Sequence, residues 1–134
     1  MNETVTVAGG CLCGAVRFEA DLPSKWCAHC HCSVCRKAHG AGYVTWVGFD
    51  KSRTRIIEDD GQLQWYASSA EAQRGFCRQC GSTMFFRSER WAGELHIVLA
   101  CFDDAIDREP QANVCFDTHV EWMPVNAELK RVDL

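Results

Sequence analysis

The chain has 134 residues, 47% hydrophobic and 24% charged. These are ordinary proportions for a globular protein, which exclude collagen-like repeats and low-complexity disorder and suit one domain over 1–134. A formal net charge of -4 leaves no basic face in the totals and argues against nucleic acid as a partner. The longest apolar run, Ile97 to Phe102, is too short for a bilayer crossing, so no membrane is expected. Met1-Asn2-Glu3-Thr4 has no basic region and leads into no apolar block, so no secretory signal is expected and the cytoplasm is the expected location.

In chain order, alternating apolar and polar residues bounded by Gly, Asp, Ser or Pro predict short antiparallel strands, and a mainly β fold. They fall near 5–8, 15–20, 43–49, 55–58, 63–66, 74–76, 83–86, 94–100 and 113–116. Asp59-Asp60-Gly61 marks a hairpin turn between the fifth and sixth of these. Ser33 to His39 suits a short helix, with Gly40 as its C-terminal cap. A turn fits 69–74, no longer helix is expected, and the polar tail from Asn126 reads as a partly ordered end.

Ten cysteines are the unusual feature. Disulfide frameworks spread their cysteines, whereas seven here fall in three tight groups, which in a reducing compartment points to metal. Zinc takes four ligands tetrahedrally, and they usually arrive as closely spaced pairs. Cys77-Arg78-Gln79-Cys80-Gly81 and Cys11-Leu12-Cys13-Gly14 are two such pairs, each followed by a glycine that can relieve a tight turn. Together they make a closed, structural site. Cys30-His31-Cys32-Ser33-Val34-Cys35 offers three sulfurs, the pattern of a catalytic zinc with one open position. Cys27, His29, His31 or His39 would close it. Spacing also permits Cys32 and Cys35 to join Cys77 and Cys80 as a zinc ribbon, and does not choose between these partitions.

Three stretches carry a resemblance: Gly9-Gly10-Cys11-Leu12-Cys13-Gly14-Ala15-Val16-Arg17-Phe18, Cys30-His31-Cys32-Ser33-Val34-Cys35-Arg36-Lys37 and Arg74-Gly75-Phe76-Cys77-Arg78-Gln79-Cys80-Gly81-Ser82. In this order they resemble the glutathione-dependent formaldehyde-activating enzyme family, whose domain includes centromere protein V. The likeness runs from about Gly9 to Trp122, with Val120-Glu121-Trp122 similar to the family's final strand. It implies a zinc-containing Mss4-like β architecture. It also implies a structural zinc on Cys11, Cys13, Cys77 and Cys80, and a second, catalytic zinc on Cys30, Cys32 and Cys35.

The family's reaction joins glutathione to formaldehyde as S-hydroxymethylglutathione, so the resemblance implies a carbon-sulfur lyase with a small thiol and a small aldehyde as partners. A thiol at an open zinc position loses its proton and becomes nucleophilic at neutral pH, or the metal polarises the aldehyde oxygen. Glutathione's carboxylates call for Arg or Lys; Arg74, Arg36 and Lys37 are the candidates within the matching stretches, with Arg53 and Arg55 beyond them. His31 and His39 are candidate acids or bases or structural residues. Trp46, Trp65, Trp91 and Trp122 are expected in core or pocket walls, and Cys101 and Cys115 as buried thiols. Cys27 departs from the family pattern; it would point away from Cys30 if that segment is a strand. A non-catalytic zinc module that binds a protein partner, or a redox or zinc sensor, are the competing readings. Oligomeric state is not legible.

Overall fold

Residues 4–134 are described by a computed structural model; the amino-end reading on Met1 to Glu3 lies outside them. Among the described residues eleven strands form two sheets: β1 (Thr6–Gly10), β2 (Val16–Asp21), β3 (Trp26–Cys30), β4 (Val44–Asp50), β5 (Thr54–Glu58), β6 (Leu63–Ala67), β7 (Ala72–Cys77), β8 (Thr83–Ser88), β9 (Glu94–Val98), β10 (Ala112–Val114) and β11 (Lys130–Val132). The smaller sheet runs β1-β2-β5 and the larger β11-β10-β3-β4-β9-β8-β7-β6. One α-helix, α1 (Ser33–His39), ends at Gly40, which has φ 62° and donates its N–H to the Arg36 carbonyl. All nine expected strands and the helix are present. No helix among the described residues is long and apolar enough to cross a membrane.

Period-two alternation explains why one large sheet can serve two compartments. Val47 and Phe49 of β4, Leu95 and Ile97 of β9 and Cys27 of β3 face the smaller sheet, packing with Val16 and Phe18 into the main core. Val44, Trp46 and Val98 face the opposite way and form a second cluster with Cys35, against which Trp26, Cys30, Cys32 and Phe86 pack. The first compartment is the larger core. The second carries Cys30, Cys32 and Cys35.

Several expectations need correction. Strands β3 and β11 were not expected: β3 is occupied on both faces, so it shows no apolar-polar alternation, and β11 is a short charged edge. β10 pairs in parallel with both β3 and β11, an exception to the otherwise antiparallel ladders. The tail beyond Asn126 is therefore tied into the sheet. Residues 120–122 form no strand, and Trp122 is 73% exposed rather than in a core or pocket wall. β9 stops at Val98, where Leu99–Cys101 turn into a 3-10 helix.

Candidate metal centres and the adjoining cavity

The four-sulfur group sits where two hairpin turns meet. In the first turn, Cys11 N–H donates to the Val16 carbonyl and Gly14 N–H to the Cys11 carbonyl; in the second, Gly81 N–H donates to the Cys77 carbonyl and Cys77 N–H to the Ser82 carbonyl. Gly14 and Gly81 have φ of 83° and 82°. A Cβ on either would meet nothing within 4 Å, so glycine is required by backbone conformation and not by crowding. Leu12 N–H donates to Ser82 Oγ at 3.0 Å, stitching one turn to the other.

Tetrahedral zinc with sulfurs at about 2.3 Å places those sulfurs about 3.8 Å apart. Cys11 Sγ and Cys13 Sγ are 3.7 Å apart, and Cys13 Sγ and Cys77 Sγ are also 3.7 Å apart. The thiols of Cys11, Cys13, Cys77 and Cys80 lie mutually within 4.8 Å, so the group fits a metal ion without rearrangement. Val16 N–H already points at Cys11 Sγ, at 3.3 Å. Desolvation works against ionisation of Cys80, but hydrogen bonds from Ser82 and neighbouring groups pull its thiol down to about 5.

Cys30, Cys32 and Cys35 form the second group, also within 4.8 Å. Cys30 ends β3, Cys32 caps α1, and Cys35 is buried one turn in. Cys35 N–H donates to Cys32 Sγ at 3.3 Å. Thiol donors from Cys30 and then Cys35 make Cys32 the sulfur that ionises most readily, and the same bond to Cys32 holds Cys30 protonated longest. Two separate clusters overturn the alternative in which Cys32 and Cys35 join Cys77 and Cys80. Cys27 faces the main core, where burial pushes its thiol up to about 11.

A cavity of about 360 Å³ opens beside the three-sulfur group, with all three cysteines in its lining. Its floor is a row of directly paired residues across five strands: Arg74 on β7 opposite Phe86 on β8, Phe86 opposite His96 on β9, His96 opposite Gly48 on β4, and Gly48 opposite Trp26 on β3. A Cβ on Gly48 would stand 2.3 Å from the Trp26 indole, so the missing side chain is what lets that ring lie across β4. Trp26 then meets His96 edge-on at 4.6 Å, and His96 stacks on Phe86 at 5.5 Å. Val114, Val132 and Leu134, carried by or adjoining the two parallel strands, also line the cavity.

Arg74 is 6% exposed and lines the same cavity. Its Nη2 donates to Cys35 Sγ at 3.5 Å and its guanidinium lies over the Phe86 ring, while Nε and Nη1 have no partner. Each unsatisfied buried donor costs about 1–3 kcal/mol, more when charged, so an acceptor supplied by a ligand has energy to gain here.

The other expected site residues are placed differently. Arg36 Nε donates to the His31 carbonyl, and Lys37 borders a separate groove with Val34, Tyr66 and Arg74. Arg53 donates to the Leu22 carbonyl, and Arg55 pairs with Glu19 and Asp21. His31 is fully buried with Nε2 2.9 Å from Asn113 Oδ1. His39 packs edge-on against Trp46, and burial followed by the Arg74 charge pushes its imidazole down to about 4. The imidazole that does line the cavity is His96, whose Nε2 is 2.8 Å from Glu94 Oε1.

Sequence reasoning missed Cys115, Trp26 and His96. Cys115 is half-buried and adopts the left-handed conformation at φ 55°. The parallel register that pairs Val114 with Cys30 brings Cys115 to the cavity that the three cysteines line. Cys101 is likewise half-buried. A single cysteine far along the chain carries no local signal of such a neighbour.

Comparison with known proteins places the chain in a family. The family model for glutathione-dependent formaldehyde-activating enzyme matches residues 6–118. The chain therefore belongs to that family. A Halomonas elongata protein, provisionally named a glutathione-dependent formaldehyde-activating enzyme, is 27% identical over 127 residues, 89% of this chain and 80% of its own. An uncharacterised lyase of Schizosaccharomyces pombe is 29% identical over 109 residues, 81% of this chain and 77% of that one. A crystal structure of a Rhodobacter sphaeroides protein superposes with a TM-score of 0.62 at 27% identity, covering 73% of this chain and 89% of that one.

Proposed function

We propose that the protein binds one zinc ion in each cysteine cluster and is a carbon-sulfur lyase that joins a thiol to an aldehyde, as in S-(hydroxymethyl)glutathione formation from glutathione and formaldehyde. The observation that carries this reading is an asymmetry. Four sulfurs close one cluster, while the other has three and faces a cavity. A module that only docked a protein partner would need no cavity at the three-sulfur group.

In the reaction the thiol sulfur bonds to the carbonyl carbon, the carbonyl π pair moves to oxygen, and the thiol proton ends on that oxygen. A zinc ion on Cys30, Cys32 and Cys35 would supply Lewis acidity that favours the thiolate form of an incoming thiol. Arg74, the buried cation beside Cys35, holds an anionic or carbonyl oxygen near the cluster through its two free donors. Arg36 and Lys37 on α1 lie beyond that cavity, Lys37 sharing the neighbouring groove with Arg74. His96, turned by Glu94, is the imidazole placed to exchange the proton. The aromatic floor, with Val114 and Val132, gives the reactants an apolar surrounding on those sides, which strengthens the electrostatic contacts made there.

Purified zinc-loaded protein with a mixture of thiol and aldehyde, followed by NMR exchange spectroscopy, tests the activity. Adduct formation faster than the spontaneous rate, abolished in Cys30→Ala, is expected. No acceleration with any thiol-aldehyde pair would sink the lyase reading.

A further inference from the structure

The cavity's lining has a chemistry that glutathione does not match. Trp26, Trp46, Phe86 and Trp91 dominate it, joined by Val114 and Val132. Among the described residues no aspartate or glutamate lines it, and its cations are Arg74 inside and the exposed Arg90, which lies over the Trp91 ring at 4.8 Å. Glutathione is a polar tripeptide with two carboxylates and an ammonium group. Its ammonium would meet no aspartate or glutamate side chain in this lining, and its peptide groups would meet indole and phenyl faces that offer few hydrogen bonds. At about 360 Å³ the cavity is also at the small end of ligand sites, which run from roughly 300 to 1,000 Å³.

We infer that this cavity takes a compact reactant with an aromatic or similarly apolar body and a single anionic group, in preference to a zwitterionic peptide thiol. This rests on the proposed reading that the three-sulfur cluster is where chemistry occurs, and names the substrate class for it. The apolar body lies along the Trp26-His96-Phe86 row, where stacking and edge-on contacts reward a flat ring. The anion faces the arginines: Arg74 has two donors without partners, and Arg90 guards the open side. The reactant so described is either the thiol or the aldehyde, because both must reach the same sulfurs.

Calorimetric titration of the zinc-loaded protein separates the two sources. One arm uses 4-carboxybenzaldehyde, the other 4-mercaptobenzoate, with glutathione and benzylamine as comparators. At least tenfold tighter binding of one of the aromatic acids than of glutathione is expected, and the arm that binds identifies which reactant the cavity holds. Benzylamine should bind weakest. Trp91→Ala should weaken the aromatic acid about tenfold and leave glutathione unchanged, with circular dichroism and a metal count of two confirming the fold. Should that variant lose its metal, Arg90→Gln at the exposed edge reads the same preference: the aromatic acid weakens and benzyl alcohol does not. Glutathione binding as tightly as either aromatic acid would overturn the inference. Failure of the functional reading looks different: selective binding of an aromatic acid, with no adduct formed from any pair, would keep the substrate class and remove the lyase.

Discussion

The two cysteine clusters use the same donor atom and differ in how the chain delivers it. Cys11, Cys13, Cys77 and Cys80 come from two hairpin turns far apart in sequence, so a metal there is a cross-link between the smaller sheet and the far part of the larger one. Cys30, Cys32 and Cys35 come from six consecutive residues at one strand-to-helix junction, so a metal there ties together almost nothing that the backbone has not already joined. A metal in the first cluster would stabilise by its reach. One in the second would stabilise little, and three sulfurs would leave its fourth position to a ligand.

The sharpest way to break that contrast is to remove one sulfur from each cluster. Cys77→Ser should release one metal and lose several kcal/mol, a large share of the ~5–15 kcal/mol that holds a domain together, so the protein unfolds at or near room temperature. Cys30→Ala should also bring the metal count from two to one, yet keep a cooperative melt within a few degrees of the parent and lose all adduct-forming activity. Elemental analysis and thermal circular dichroism read both. If the two variants are equally destabilised, the division into structural and chemical clusters fails.

Cys27→Ala is the companion measurement. Its thiol packs in the main core, so the variant should keep both metals and lose about 1 kcal/mol from a slightly smaller buried side chain. Loss of a metal on this substitution would mean that Cys27 reaches the second ion, closing it.

How far the sequence already spoke follows the same division. The four-sulfur group was legible because each pair sits in a local turn whose trailing glycine is written beside it, and Gly14 and Gly81 do adopt positive φ. The triad and its capping helix were legible for the same reason. The cavity was not, because its floor is a row of register partners drawn from five strands, and register is set by the whole sheet. Trp26 shows the difficulty: it lies on β3, a strand that no alternation announces, and its place depends on an absent side chain at Gly48 of the neighbouring β4. Cys115 depends on a parallel pairing that no local pattern announces. Arg74 was picked out by its motif, whereas the two cations on α1 stand outside the cavity.

Arg74 sharpens the comparison on the chemical side alone. Arg74→Gln should leave both metals bound and lower adduct formation by roughly a hundred- to a thousandfold, the usual effect of removing one donor to developing charge. Arg74→Lys should recover only part of it, because an ammonium cannot replace the planar pair of donors. Steady-state rates and metal counts on the same preparations make the test; an equal loss of metal would reassign Arg74 to holding Cys35 in place.

The smallest effect concerns His96, which lies on the cavity side of the large sheet and far from the four-sulfur turns. Burial pushes its imidazole below the ordinary histidine range, and the hydrogen bond to Glu94 opposes this without reversing it. An unfolded chain takes up a proton there near pH 6.5, whereas the folded protein resists until the pH is lower. Stability from this residue is therefore complete above about pH 6.5 and is progressively lost as the pH falls below it. His96→Gln keeps a donor for Glu94 but cannot ionise, so its melting temperature should fall less steeply than the parent's between about pH 7.5 and 5.5, by a few degrees over the interval. The slope is the informative quantity, since lost ring stacking on Phe86 lowers the variant's melt equally at every pH. Parallel pH profiles for the two proteins would show that His96 is protonated as readily in the fold as in the open chain, and the sheltered, water-poor character assigned to this side of the sheet would have to be abandoned.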